Sequence, residues 1–435
     1  MSNLVAIVGR PNVGKSTLFN RLTETREAII DPTSGVTRDR KYGPVHWGNR
    51  EFRVVDTGGY ISNSDDVFEG DIRKQVHMAI DEADVILFIV DVTTGITDLD
   101  EVIANLLRRQ KKPVLLVSNK VDTSVKEAAS AEFYSLGIAN EVYSISANNG
   151  YGTGDLLQAI VAQLPEAVSP SDDGIPRIAV VGKPNVGKST LVNTILGEER
   201  TIVNEVAGTT RDAVDSRFSA FGLDFIITDT AGLRRKNKVE ENIEFYTMVR
   251  TYKAIERSDV CILMIDAADG FSKQDLTIFY QIEKAKKGVV VVVNKWDLIE
   301  KDHKTHDEFK KDLIEKLAPF NDVPIIFTSN HTKQRLIKAL EMALKVYEDL
   351  TKKISTSQLN DYLLEIITAT PPPALKGKYI KIKYITQLPS RSPAFAFFCN
   401  LPQYIKEPYK RFLENRIRER FEFTGVPIRL YFRKK

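Results

Sequence analysis

Apolar residues in this 435-residue chain gather into short unbroken runs, separated by longer stretches in which they recur every three or four positions. The runs LVAIV, FRVVD, VILFIVD, PVLLVSN and VYSIS lie between residues 4 and 146; IAVVG, FIITD, VCILMID, VVVVVN and PIIFTS lie between 178 and 329. Continuous β-branched runs alternating with amphipathic stretches predict an α/β fold: a mostly parallel, doubly wound sheet covered on both faces, formed twice. In such sheets ligands bind at the carboxyl ends of the strands. From Leu336 the pattern changes. Leu336, Leu340, Ala343, Val346 and Leu350 mark one helix face that leads into the order α-β-β-α-β: the helix SQLNDYLLEIITA, the break Pro371 to Pro373, the strands KYIKIKYIT and AFAFFC, the helix YKRFLENRIRERF and the strand PIRLYF. That order predicts a small α+β domain, with Phe395 and Phe397 on one strand face and Tyr379 in the partner strand. The expected domains are therefore 1–168, 176–350 and 351–435, with a linker at 169–175 inside the irregular stretch PEAVSPSDDGIP.

The two sheets also repeat their polar residues. GRPNVGKS supplies Gly9, Arg10, Pro11, Asn12, Val13, Gly14, Lys15 and Ser16; 173 residues later GKPNVGKS supplies Gly182, Lys183, Pro184, Asn185, Val186, Gly187, Lys188 and Ser189. Each follows an apolar strand and precedes a helix, the context a phosphate-binding loop requires. Glycine lets the backbone curl so that N–H groups and the helix N-terminus face phosphates. Lys15 and Lys188 are then expected to reach the β- and γ-phosphates, and the hydroxyls of Ser16 and Ser189 to bind Mg²⁺. At the same offset, Asp56, Thr57, Gly58, Gly59 and Tyr60 pair with Asp229, Thr230, Ala231, Gly232 and Leu233. Asp56 and Asp229 sit where a carboxylate holds the Mg²⁺ shell, and Gly59 and Gly232 where a backbone N–H meets the γ-phosphate. Thr37 and Thr210, each 22 residues past its loop lysine, are expected to complete the Mg²⁺ shell as switch residues.

Base choice falls to Asn119, Lys120, Val121 and Asp122 in NKVD, and to Asn294, Lys295, Trp296 and Asp297 in NKWD. A carboxylate there accepts from both N1–H and the exocyclic amine of guanine, a donor pair that adenine lacks. Ser146 and Ala147 complete the first base pocket, and Ser329 and Asn330 stand at the matching place in the second. Where Ras-like enzymes place a glutamine to orient water, this chain has Tyr60 and Leu233, which predicts slow intrinsic hydrolysis.

Tandem GxPNVGKST loops with TRD, DTxG and NKxD, followed by a small third domain, resemble the Der (EngA) family of ribosome-assembly GTPases within the Era/TrmE-like superfamily. The resemblance spans essentially the whole chain. It implies two P-loop GTPase domains and a C-terminal K-homology-like domain. It further implies GTP hydrolysis to GDP and phosphate, and association with the large ribosomal subunit or its precursor and with rRNA. Asn12 and Asn185 match the asparagine with which potassium-activated relatives hold a monovalent cation; the plainer reading is that they brace the loop. The sequence departs from the family pattern at Ser34 and Ala207, where proline is usual, and at Asn330, where alanine is usual. No GXXG occurs in residues 351–435, so the phosphate clamp of K-homology domains is missing.

Charge sharpens the expectation about partners. The chain totals 61 Lys plus Arg against 58 Asp plus Glu, a net of +3, but residues 351–435 alone carry 17 basic and 6 acidic groups. That domain is at +11, and residues 1–350 are at −8. Lys376, Lys378, Lys381, Lys383, Arg416, Arg418, Arg420, Arg433, Lys434 and Lys435 form the expected footprint for phosphate-backbone contact. The plainer alternative is a basic surface that docks on the acidic body. The basic run LRRKNK, residues 233–238, falls where a nucleotide-dependent switch is expected. Two cysteines, Cys261 and Cys399, read as packed strand residues, and no export signal or membrane span is predicted, which points to the cytoplasm. The expected partner is RNA rather than DNA or membrane, for a monomer off the ribosome. The competing reading is a constitutive rRNA-binding scaffold in which the GTPase domains are mainly structural.

Overall fold

Each apolar run of the first repeat becomes a strand: Asn3–Val8 and Val85–Asp91 are buried along their whole length, whereas Val142–Ser144 at the sheet edge is only half-buried. The computed structural model describes residues 3–23, 42–48, 50–60, 69–165, 174–197, 204–205, 215–228, 243–299, 305–320, 322–374 and 379–434. Thr37, Thr210, Asp229 to Leu233, the LRRKNK run, Lys376, Lys378, Lys435 and most of the expected linker lie outside those residues. The chain divides into two compact units, Met1–Ser171 and Asp172–Lys435.

In the first unit, β1 (Asn3–Val8), β2 (Tyr42–Trp47), β3 (Arg50–Asp56), β4 (Val85–Asp91), β5 (Val114–Asn119) and β6 (Val142–Ser144) form one sheet in the order β2-β3-β1-β4-β5-β6. All pairs are parallel except β2–β3. The helices are α1 (Lys15–Thr23), α2 (Glu69–Glu82), α3 (Asp98–Leu107), α4 (Ser124–Ala129) and α5 (Thr153–Gln163). Because β3 and β4 flank β1 on opposite sides, the loop after β1 opens at the point where strand order reverses, the usual ligand position in such sheets. The hydrophobic pattern does not reveal β2: it is an edge strand, buried only at alternate positions and carrying Pro44, which an edge tolerates.

The second unit repeats this plan with β7 (Arg177–Val181), β8 (Asn204–Glu205), β9 (Ser216–Ala220), β10 (Leu223–Ile227), β11 (Val260–Asp266), β12 (Gly288–Asn294) and β13 (Ile325–Phe327), ordered β13-β12-β11-β7-β10-β9-β8. Its helices are α6 (Lys188–Leu196), α7 (Ile243–Arg257), α8 (Lys273–Lys284), α9 (Thr305–Leu317) and α10 (Leu336–Thr351). The chain then continues through α11 (Thr356–Ala369), β14 (Ile382–Gln387), β15 (Ala394–Cys399), α12 (Glu407–Phe421) and β16 (Arg429–Lys434). In this third sheet β14–β15 is antiparallel and β15–β16 parallel. Ser355 caps α11 reciprocally with Gln358, fixing where the new helix starts only a few residues after α10 ends.

Phe395 and Phe397 are fully buried, as alternation predicts. Tyr379 is not: it precedes β14 and is 82 % exposed. One continuous core joins the second α/β sheet domain to the C-terminal domain, with Val290, Val346 and Leu350 packed in the same cluster as Leu359, Phe423 and Val426. At the seam the Val289 N–H donates to the Gly425 carbonyl at 2.8 Å, and the Gly425 N–H donates to the Asp322 carbonyl at 3.1 Å. Arg418 also turns inward. It donates to Asp322 Oδ2 at 2.6 Å, to Glu414 Oε1 at 2.8 Å and to the carbonyls of Phe423 and Val426. It is therefore withdrawn from the set of RNA-facing cations expected from the sequence.

Candidate nucleotide sites

The loop after β1 closes on its own lysine. Lys15 Nζ donates to the carbonyls of Gly9 at 2.8 Å and Arg10 at 2.7 Å. In the second domain Lys188 Nζ makes the same bonds to Gly182 at 2.8 Å and Lys183 at 2.5 Å. Burial pushes both ammonium groups down to about 8, with Asp56 and Asp275 respectively opposing the shift. Glycine is required in this loop for close approach. A Cβ on Gly9 would lie 2.5 Å from the Ile89 carbonyl oxygen, and one on Gly14 would lie 2.2 Å from Asn119 Nδ2. Asn12 and Asn185 adopt nearly the same left-handed backbone, with φ of 64° and 63°, and both are exposed.

Ser16 Oγ donates to Asp56 Oδ2 at 2.5 Å, so two of the three expected Mg²⁺ ligands of the first domain converge from α1 and the end of β3. Asp56 is buried, and its other oxygen accepts the Gly58 N–H at 2.9 Å. A hydroxyl and a carboxylate make an all-oxygen donor set, which suits a hard divalent cation such as Mg²⁺. Thr57 Oγ1 donates to the Ile7 carbonyl and pins this turn to β1, and Gly59 and Tyr60 continue it as a 3-10 turn. Ser189 occupies the place on α6 that Ser16 holds on α1, while its expected partner Asp229 lies outside the described residues.

The base-reading loops are locked to the phosphate loops. Asn119 Nδ2 donates to the Val13 carbonyl at 2.8 Å and its Oδ1 accepts from the Ala147 N–H at 3.0 Å. Asn294 does likewise with Val186 at 2.8 Å and Asn330 at 3.1 Å. These asparagines therefore brace three segments in each domain. Asn330 adds a bond with no counterpart in the first domain, from Nδ2 to the Gly187 carbonyl at 2.8 Å. Ser146 and Ser329 are buried at the turns beside them, while Asp122 and Asp297 are exposed at the rim. Lys126 at 2.7 Å holds the Asp122 carboxyl below its usual range. Val121 and Trp296 are buried; Trp296 packs edge-on to Phe309 and against Phe327, anchoring the second loop in the core.

Two pairings absent from the motif reading recur in both domains. Arg10 Nε meets the fully buried Asp100 at 3.1 Å, and Lys183 meets the fully buried Asp275 at 3.5 Å. Each aspartate also closes the N-terminal capping box of its helix, with Thr97 and Ser272. Lys120 pairs with Asp91 at 2.5 Å and Lys295 with Asp266 at 2.6 Å, at the ends of β4 and β11. The signal available in the sequence was a strand-ending aspartate and a T/S-x-x-D cap at matching places in each repeat.

Duplicated strand–loop–helix phosphate loops, braced by NKxD asparagines on doubly wound sheets, define a tandem P-loop GTPase. Residues 4–120 and 177–295 match the family model described as "50S ribosome-binding GTPase", and residues 353–433 match "KH-domain-like of EngA bacterial GTPase enzymes, C-terminal". The chain is 57 % identical over 436 residues to GTPase Der of Flavobacterium johnsoniae and 58 % identical over 438 residues to GTPase Der of Bacteroides fragilis, covering all of each. It therefore belongs to the Der GTPase family.

Proposed function

We propose that the chain binds and hydrolyses GTP at both sites and uses them to govern how the basic C-terminal domain meets rRNA of the large ribosomal subunit or its precursor. The observation that carries this reading is the repetition of one bonding frame in both domains beside a third domain at +11. Lys15 and Lys188 are assigned to the β- and γ-phosphates, Asp122 and Asp297 to guanine, and Ser146 with Ala147 and Ser329 with Asn330 to the rest of the base pocket. Ser16, Thr37 and Asp56, and correspondingly Ser189, Thr210 and Asp229, are the residues that would hold Mg²⁺. When bound, that ion neutralises charge on the phosphate oxygens.

Leu233 and Tyr60 offer no amide to orient water, so intrinsic turnover is slow. Asn12 and Asn185 are assigned to a potassium ion that raises it. Hydrolysis at equal rates in potassium and sodium salts would overturn this last assignment. The matching family model's description as a ribosome-binding GTPase supports the ribosomal partner, and we place the protein with it in the cytoplasm. Among the described residues no helix is long and apolar enough to cross a membrane. The deciding experiment is co-sedimentation of the protein with ribosomal particles under a GTP analogue, GDP and no nucleotide. Binding that changes with nucleotide supports the switch; nucleotide-independent binding favours a constitutive scaffold.

A further inference from the structure

A cavity of about 240 Å³ opens where the second GTPase domain meets the C-terminal domain. The GTPase domain contributes Asp259, just before β11, and Lys286 and Lys287 from the turn after α8. The C-terminal domain contributes Arg391 and Ser392 from the β14–β15 turn and Arg429 from the start of β16. Four basic residues and one carboxylate thus line the cavity, and that carboxylate already accepts the Arg177 backbone N–H at 3.0 Å.

Arg429 is half-buried, yet its described acceptors are all neutral. Nη2 donates to Ser390 Oγ at 2.7 Å and Ser392 Oγ at 3.2 Å, and Nη1 donates to the Tyr431 hydroxyl at 3.1 Å. Its Nε is buried with no hydrogen-bond partner. Removing a guanidinium from water without a counter-charge is unfavourable, so such a group is expected to meet an anion. Lys287 Nζ spends two of its three donors on the carbonyls of Glu256 at 2.9 Å and Ser258 at 2.5 Å, fixing its charge beside the cavity. Arg391 stands exposed at the rim.

We propose that this cavity binds one phosphodiester of an RNA strand and so lets RNA bridge the second GTPase domain and the C-terminal domain. The inference rests on the RNA reading above and adds the place of contact. A guanidinium fork suits phosphate oxygens. The volume is below the roughly 300–1,000 Å³ of small-molecule pockets, which fits a phosphate with part of its sugar rather than a whole nucleotide. The site also supplies, from two domains, the phosphate contact that the missing GXXG loop would have made.

The test measures binding of a fluorescein-labelled single-stranded RNA to the full-length protein by anisotropy between 50 and 200 mM salt, ranges in which phosphate contacts dominate the salt dependence. Arg391→Gln is expected to reduce the slope of log affinity against log salt by about 0.7, one single-strand phosphate, while Arg391→Lys retains it and GTP hydrolysis is unchanged in both. Wild-type binding with an unaltered slope in Arg391→Gln would overturn the site and leave the RNA reading standing. Absence of wild-type RNA binding would overturn both. Calorimetric uptake of inorganic phosphate that Arg391→Gln abolishes, with the RNA slope unchanged, would assign the cavity to free phosphate and overturn the phosphodiester.

Discussion

Asn330 Nδ2 donates to the Gly187 carbonyl at 2.8 Å, tying the loop after β13 to the phosphate loop of the second domain. At the matching place the first domain has Ala147, which contributes only its backbone N–H to Asn119. The family departure at Asn330 thus keeps the backbone contact, through its own N–H to Asn294, and adds a tether. Its Oδ1 is buried without a hydrogen-bond partner.

Asn330→Ala is expected to loosen the second site without dismantling it. One net hydrogen bond contributes about 0.5–1.5 kcal/mol, so release of fluorescent GDP should speed by about two- to tenfold. The measurement uses a Lys15→Ala background to silence the first site; an unchanged rate would show that the tether is idle.

Binding should also respond to pH through the loop lysines. Their folded-state values near 8 lie below the ordinary 10.5, so the ligand-free fold gains stability as pH rises from about 8 to 10.5, where the unfolded chain holds more protons. Phosphates favour the charged ammonium. GTP affinity is therefore expected to fall above pH 8, by up to about tenfold per unit at each site, with proton uptake on binding. Titration calorimetry in two buffers of different ionisation enthalpy checks this, and binding without proton uptake at pH 9 would refute it.

Lys126, 2.7 Å from the exposed Asp122 carboxylate, holds it below its usual range. Asp122→Asn replaces one acceptor with a donor, which clashes with guanine's exocyclic amine and suits an oxygen at the same position. Guanine nucleotide affinity at the first site should drop by at least about a hundredfold, and xanthine nucleotide should now bind. Competition binding reads both; retained preference for GTP would remove Asp122 from base recognition.

Gly425 has φ of +68°, and an added Cβ would lie 2.6 Å from the Val289 carbonyl oxygen and 2.9 Å from Pro324 Cδ. Gly425→Ala should cost about 2–5 kcal/mol, from left-handed strain of about 1–2 and crowding of about 1–3. Calorimetry of the whole chain should show a lowered transition for the unit Asp172–Lys435 and an unmoved one for Met1–Ser171. Equal shifts in both would contradict the assignment of the seam to one unit.

The phosphate loops and NKxD corners were legible because each is a local pattern at the end of a local apolar run. Asn119 and Asn294 were legible as motif members but not as braces, since their bonds reach Val13 and Val186 more than a hundred residues away. Arg10 with Asp100 and Lys183 with Asp275 leave no local pattern for the same reason: strand order, not sequence distance, makes them neighbours. The edge strand β2 was hidden because half of it faces solvent and it contains Pro44.

By itself the sequence determined the duplicated α/β plan, the loops that carry it and the concentration of positive charge after residue 350. Period, glycine placement and charge are properties of neighbouring residues, and they act before any packing does. The tertiary structure decided which of those charges are available. It turned Arg418 inward onto Asp322, left Tyr379 outside the sheet, and set Arg429 against hydroxyls instead of a carboxylate. Those outcomes depend on which surfaces meet when α10, β12 and the C-terminal domain share one core, and contacts between distant segments leave no periodic trace in the chain.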